Sequence, residues 1–150
     1  KTRHAVPSFV SIGYEKKDTN SFLDELDEAG VQILVDIRES AFSRRPDFRK
    51  AKLTELLSTR GIEYIHLRDA GNPFRLLKDG DIAECLNLYR QHFLDHPEIV
   101  DSVIVKVEDI ARQYSTIAFL CYEKLSAECH RSVLFEFLTA NNVAFDLKEA

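Results

Sequence analysis

Methionine is absent from this chain, which opens on Lys1. That absence reads as a processed, trimmed or tagged amino terminus. Residues 1–8 are therefore expected to form a disordered or non-native leader, and residues 9–150 a single domain. No stretch approaches the ~18 consecutive apolar residues that a membrane span needs, and nothing at the start has the build of a signal peptide, so no membrane partner is expected. Cysteine is scarce: three residues, an odd number, with no Cys-x-x-Cys pair. A chain of 150 residues does not depend on disulfide staples, and the expectation is a reducing, cytoplasmic setting. Positive charge is short as well. Twenty Lys and Arg stand against twenty-five Asp and Glu, a net charge of −5. This excludes the global basic field that many nucleic-acid binders carry, though not a local basic patch. Repeats and low-complexity tracts are missing too. What is present is 45% hydrophobic residues, enough to bury a core at ordinary domain size.

The pattern along the chain alternates. "PSFVSIGY" (7–14) is β-branched and aromatic and ends near Gly13, so it reads as a strand and turn. In 18–30, Phe22, Leu23, Leu26 and Ala29 recur at helical spacing behind a cap at Asp18 or Thr19, and Gly30 ends the run. "VQILVDIR" (31–38) is a near-continuous apolar strand of the kind covered on both faces. A polar loop (39–48), a helix (49–61) and a strand (62–67) follow. Two helices, 81–96 and 98–114, are separated at Pro97. A strand at 115–122, a helix over 128–142 and a short strand at 143–147 complete the series. The fold class is α/β: one domain, a mostly parallel sheet of about five strands with helices on both faces. The strand order is not readable from this pattern.

In an open parallel sheet the ligand crevice lies beyond the carboxyl ends of the strands. The unusual polar residues gather there. Gly13 and Tyr14 follow the first strand, and Asp36, Arg38, Ser43, Arg44 and Arg45 the second. His66, Gly71 and Asn72 follow the third. Cys121 and Glu123 close the fourth, with Cys129, His130, Arg131 and Ser132 past its loop. Cys129-His130-Arg131-Ser132 opens a helix, where N–H groups and the macrodipole favour anions. An arginine fork suits phosphate or carboxylate there, and a cysteine's thiolate is favoured. A buried small cysteine, with an arginine tying loop to helix, is the other reading. "SRRP" (43–46) is the concentrated basic cluster. It suits a phosphate backbone or charged substrate, or is simply a solvated loop.

Asp36, Glu123, Cys129 and Cys121 are the catalytic candidates, the acids for proton transfer and the cysteines as nucleophiles. The acids could equally be structural partners of Arg38 and Arg131. Tyr14, Arg38, Ser43, Arg44, Arg45, His66, His130 and Arg131 are the substrate-binding candidates. Cys85, set between leucines in a helix, reads as core.

Other chemistries fit less well. A tyrosine-phosphatase loop needs an arginine six positions after its cysteine. Ala127 stands there after Cys121, and Arg131 is only two positions after Cys129, so this is rejected. Rhodanese-like sulfur transfer, which uses a cysteine in a tight loop after a strand, stays open through Cys121. Zinc could draw on Cys121, Cys129, His130 and His66, but an adjacent Cys and His seldom face one metal. No metal and no cofactor are expected.

The segments "SIGYEKKDTNSFLDELDEAGVQILVDIRESAFSRRPDF", "GIEYIHLRDAGNP" and "FLCYEKLSAECHRSVL" resemble the domain of unknown function 488 (DUF488) family. Its pattern is T-I-G-Y, then V-D-V-R with a following S-R loop, an H-L-x-x-L-G-like segment, and a late C-x-E with C-H-R. The resemblance covers roughly 9–147. Ser11 replaces the usual Thr and Ala70 a frequent Leu. It implies an α/β fold and signature positions at Gly13, Tyr14, Asp36, Arg38, Ser43, Arg44, His66, Leu67, Gly71, Cys121, Glu123, Cys129, His130 and Arg131. It implies no particular reaction. The functional expectation is an uncharacterised DUF488-like protein that binds a phosphate-bearing substrate, a nucleotide or nucleic acid, at the carboxyl edge of the sheet, with action on that substrate left open. The alternatives are a non-catalytic nucleotide or nucleic-acid binding module and a cysteine-based redox or metal site.

Overall fold

A computed structural model describes residues 6–41, 43–73, 82–123 and 130–150; of Ile82 only the backbone is described. Five strands, β1 (Ser8–Gly13), β2 (Ile33–Asp36), β3 (Glu63–His66), β4 (Thr116–Cys121) and β5 (Asp146–Glu149), form one all-parallel sheet in the order β3-β2-β4-β1-β5. The helices are α1 (Thr19–Glu28), α2 (Lys50–Ser58), α3 (Ile82–Asp95), α4 (Pro97–Gln113) and α5 (Arg131–Ala140).

The strand order follows from two runs of crossovers. From β1 the chain steps one way across the sheet, over β4 to β2 and on to β3. It then steps back to β4 and, over β1, to β5. Right-handed crossovers in opposite directions place their helices on opposite faces. α1 and α2 accordingly cover one face through Phe22, Leu23, Leu26, Leu53 and Leu57, packed on Val10, Ile12, Leu34, Ala118 and Leu120. α3, α4 and α5 cover the other through Tyr89, Phe93, Val103, Val107 and Leu134, packed on Phe9, Val35, Ile117 and Phe119. The central strands therefore need apolar side chains in both directions, which is why their sequences run rather than alternate.

Local signals are obeyed. The Asp18 side chain caps α1 by accepting from the Ser21 N–H at 2.8 Å. Gly30, at φ +72°, supplies the left-handed turn beyond its end. Pro97 does not merely separate two helices. It is the first residue of α4, where its missing N–H costs nothing.

The last strand departs from expectation. Pairing overlaps the expected strand 143–147 only at Asp146 and Leu147, and runs on to Glu149. Val143 is buried and Phe145 stacks on Phe9, with centroids 4.5 Å apart, while the exposed Asp146–Glu149 pairs with β1. Apolar side chains serve the core, and an edge strand needs only backbone. Among the described residues no helix is long and apolar enough to cross a membrane.

Candidate functional site

The strands end in a row, and their following loops meet. β2 and β4 are neighbours, but α2 leaves to one face and α5 to the other. A crevice opens where such connections part. Here it is a pocket of about 580 Å³, lined by Tyr14, Arg38, Glu39, Ser40, Ser43, Arg44, Arg45, Asn72, Pro73, Cys121, Tyr122 and His130.

Its base is a buried ion pair. Asp36, fully buried at the end of β2, accepts from Arg38 Nε at 2.8 Å and the Arg38 backbone N–H at 3.1 Å through Oδ1. Through Oδ2 it accepts from Arg38 Nη2 at 2.7 Å and Tyr64 Oη at 2.6 Å. Arg38 Nη1 donates to Tyr14 Oη at 3.2 Å and to the Phe48 carbonyl at 2.7 Å. Burial by itself would lower the Arg38 pKa, but Asp36 outweighs it and holds the guanidinium above its ordinary value. Burial and the Asp36 charge push the Tyr64 phenol well up, so it stays a donor.

The basic loop wraps over this base. Ser43 Oγ accepts from the Arg45 N–H at 3.1 Å. Phe48, buried in the single turn Pro46–Phe48, stacks on Tyr14 with centroids 4.4 Å apart. The Arg45 guanidinium lies over Phe48 at 4.4 Å and donates to the Tyr14 carbonyl at 3.0 Å. Arg44 is exposed at the pocket and, like Arg45, makes no ion pair among the described residues. Of the acids nearby, Asp36 is matched by Arg38, and Glu39 lies 3.7 Å from Arg68. Hydrogen bonds from Ser21, and the attraction of Arg45, lower the pKa of the exposed Asp18 carboxylate, while Arg44 pairs with no acid among the described residues, at this edge of a protein whose net charge is −5.

The two histidines hold backbone. His66 Nε2 meets the Arg38 carbonyl at 2.6 Å and His130 Nε2 the Ile37 carbonyl at 2.7 Å. A carbonyl can only accept, so each Nε2 carries the hydrogen. Consecutive carbonyls leaving β2 are thereby pinned from the two sides. Tyr89, fully buried with its phenol pKa raised by that burial, donates to the Ala70 carbonyl at 2.7 Å and packs edge to face on His130. Gly71 passes against Glu39: a Cβ there would sit 2.6 Å from the Glu39 nitrogen and 2.8 Å from its Cβ. Only glycine permits that approach.

The pocket gathers Tyr14, Arg38, Ser43, Arg44, Arg45, Cys121 and His130 of the expected residues. Asp36 stands behind Arg38, and His66 behind the strand end. Glu123 is half-buried and Arg131 fully buried, and neither lines the pocket. Arg131 Nη2 donates to the Glu123 carbonyl. Burial lowers the Arg131 pKa to about 10, against the pull of Glu149 and Glu123. Cys121 is buried and disulfide-bonded, its sulfur 3.7 Å from Glu123 Oε1. Cys129, and with it any role as nucleophile, lies outside the described residues.

Sequence reasoning missed Tyr64, Phe48 and Tyr122. Tyr64 had a signal: it precedes His66 by two, so it shares a face with it and reaches diagonally toward Asp36. Phe48 and Tyr122 had none beyond being aromatic. No group of three or more His, Cys, Asp or Glu among the described residues is arranged to hold a metal.

No curated protein and no solved structure matches this chain. One family model does, "Domain of unknown function DUF488", over residues 18–138. That span holds Asp36, Arg38, the basic loop, His66, Cys121 and Arg131, and the chain belongs to the DUF488 family.

Proposed function

We propose that the protein binds a phosphate-bearing ligand in the pocket at the carboxyl edge of its sheet. The observation that carries this reading is the charge balance. Among the described residues Arg44 and Arg45 bring guanidinium groups outside any ion pair to a pocket whose acid, Glu39, already lies near Arg68. Arginine forks suit the oxygens of phosphate. A pocket of this size takes a small molecule or a strand end rather than a long duplex.

Recognition is favoured over turnover by what the described side chains already do. Asp36 spends its acceptor positions on Arg38 and Tyr64, and both histidines are committed to carbonyls. Under this reading Asp36, His66 and His130 position the arginine loop, and Glu123 and Arg131 brace the start of α5. The test is calorimetric titration with inorganic phosphate and a phosphate monoester at low and high salt. Binding that weakens with salt, and that falls about tenfold in Arg44→Ala, is expected. Equal heats for wild type and Arg44→Ala would refute the assignment. Turnover of any bound monoester that is abolished by Glu123→Gln with affinity retained would restore the enzyme reading.

A further inference from the structure

We propose that the ligand is a nucleoside monophosphate unit, with its phosphate on Arg44 and Arg45 and its base against Tyr122. This rests on the phosphate reading above and names the rest of the molecule. The first support is volume. About 580 Å³ far exceeds what a phosphate ion or a triose phosphate occupies, so a ligand that fills the pocket carries a bulkier body.

The second support is the wall beside β4. Tyr122 lines the pocket, keeps 36% of its surface exposed, and meets Tyr14 edge to face with centroids 5.3 Å apart. A partly exposed ring braced by another ring is the kind of platform on which bases stack. The third is Arg45, whose guanidinium already lies over an aromatic neighbour, Phe48, at 4.4 Å. An arginine plane held in this way accepts a flat heterocycle as well as an anion. A sugar phosphate would use the charge but leave the aromatic wall bare.

A free mononucleotide and the terminal nucleotide of a single strand share this chemistry, and the test separates them. Wild type, Arg44→Ala, Tyr122→Ala and Tyr122→Phe are titrated with inorganic phosphate, ribose 5-phosphate, AMP, UMP and a short 5′-phosphorylated single strand. The nucleoside monophosphates should bind at least about tenfold more tightly than ribose 5-phosphate. Tyr122→Ala should erase that margin without changing ribose 5-phosphate affinity, and Tyr122→Phe should keep it. A strand that outbinds AMP and UMP identifies a strand end as the source; the reverse identifies the free nucleotide. Equal affinity for ribose 5-phosphate and the nucleotides, or an equal loss of both in Tyr122→Ala, overturns the nucleoside assignment and leaves the phosphate reading standing. Failure of every phosphate probe overturns both.

Discussion

Asp36 and Arg38, two residues apart at the end of β2, close on each other as a two-pronged pair, Oδ1 to Nε at 2.8 Å and Oδ2 to Nη2 at 2.7 Å. Side chains two apart along an extended backbone face the same way, so the strand's last side chain meets that of Arg38. Both are buried, so removing either strands the other. Arg38→Ala and Asp36→Asn should each lower unfolding free energy by about 3–5 kcal/mol in urea titrations. Tyr64→Phe, which removes one donor to Asp36, should cost about 1–3 kcal/mol. Because all three share one network, the losses should fall short of additive in the double variants.

Gly71 offers a narrower check. A methyl group added there would meet chiefly the Glu39 backbone, which cannot swing aside as a flexible side chain would. Gly71→Ala should destabilise by about 1–3 kcal/mol and should displace Glu39 from the pocket wall. Thermal unfolding measures the first effect, and altered ligand affinity at unchanged Arg44 measures the second.

Arg44 and Phe48 separate charge from scaffold within one loop. Arg44 is exposed, so Arg44→Ala should leave stability within about 0.5 kcal/mol of wild type while weakening phosphate binding. Phe48 is fully buried between Tyr14 and Phe22, and Phe48→Ala should cost about 3–5 kcal/mol. It should also weaken phosphate binding, because Arg45 loses the ring it lies over. A chemical denaturation series run beside the titrations reads both.

A pH dependence is written into the end of α3. Partial burial and the neighbouring His96, ring centroids 4.7 Å away, lower the His92 pKa below 6.5, with Asp95 and Glu98 pulling weakly the other way. The unfolded chain then binds this proton more readily than the folded one. Stability is reduced below the folded-state pKa and recovers as pH rises to 6.5. Replacing His92 with Gln should flatten the stability profile between about pH 5 and 7 relative to wild type. Parallel profiles for the two proteins would rule this out.

The α/β class was legible because burial on both faces leaves continuous apolar runs in β1, β2 and β4. The edge of the sheet where the pocket opens was legible because Asp36, Arg38 and Cys121 stand at strand ends. The strand order was not, since nothing in a strand's own residues says which neighbour it pairs with. The division of labour inside the site was also hidden. Asp36 and Arg38 satisfy each other and Arg44 has no such partner among the described residues, yet all three look alike as charged residues. Both histidines looked like chemistry in a string of letters. Their roles depend on which carbonyl lies opposite, and that is a property of the folded backbone.

The place of β1 in the sheet bears on how the chain assembles. Ser8 lies beside Thr116 on one side and Asp146 on the other, so the earliest strand finds both neighbours only among the latest residues. During synthesis its two backbone edges wait, unpaired, through more than a hundred residues of elongation. Long-range pairing of this kind slows closure of the sheet, and the nascent chain's exposure to aggregation or chaperone capture is concentrated in that interval.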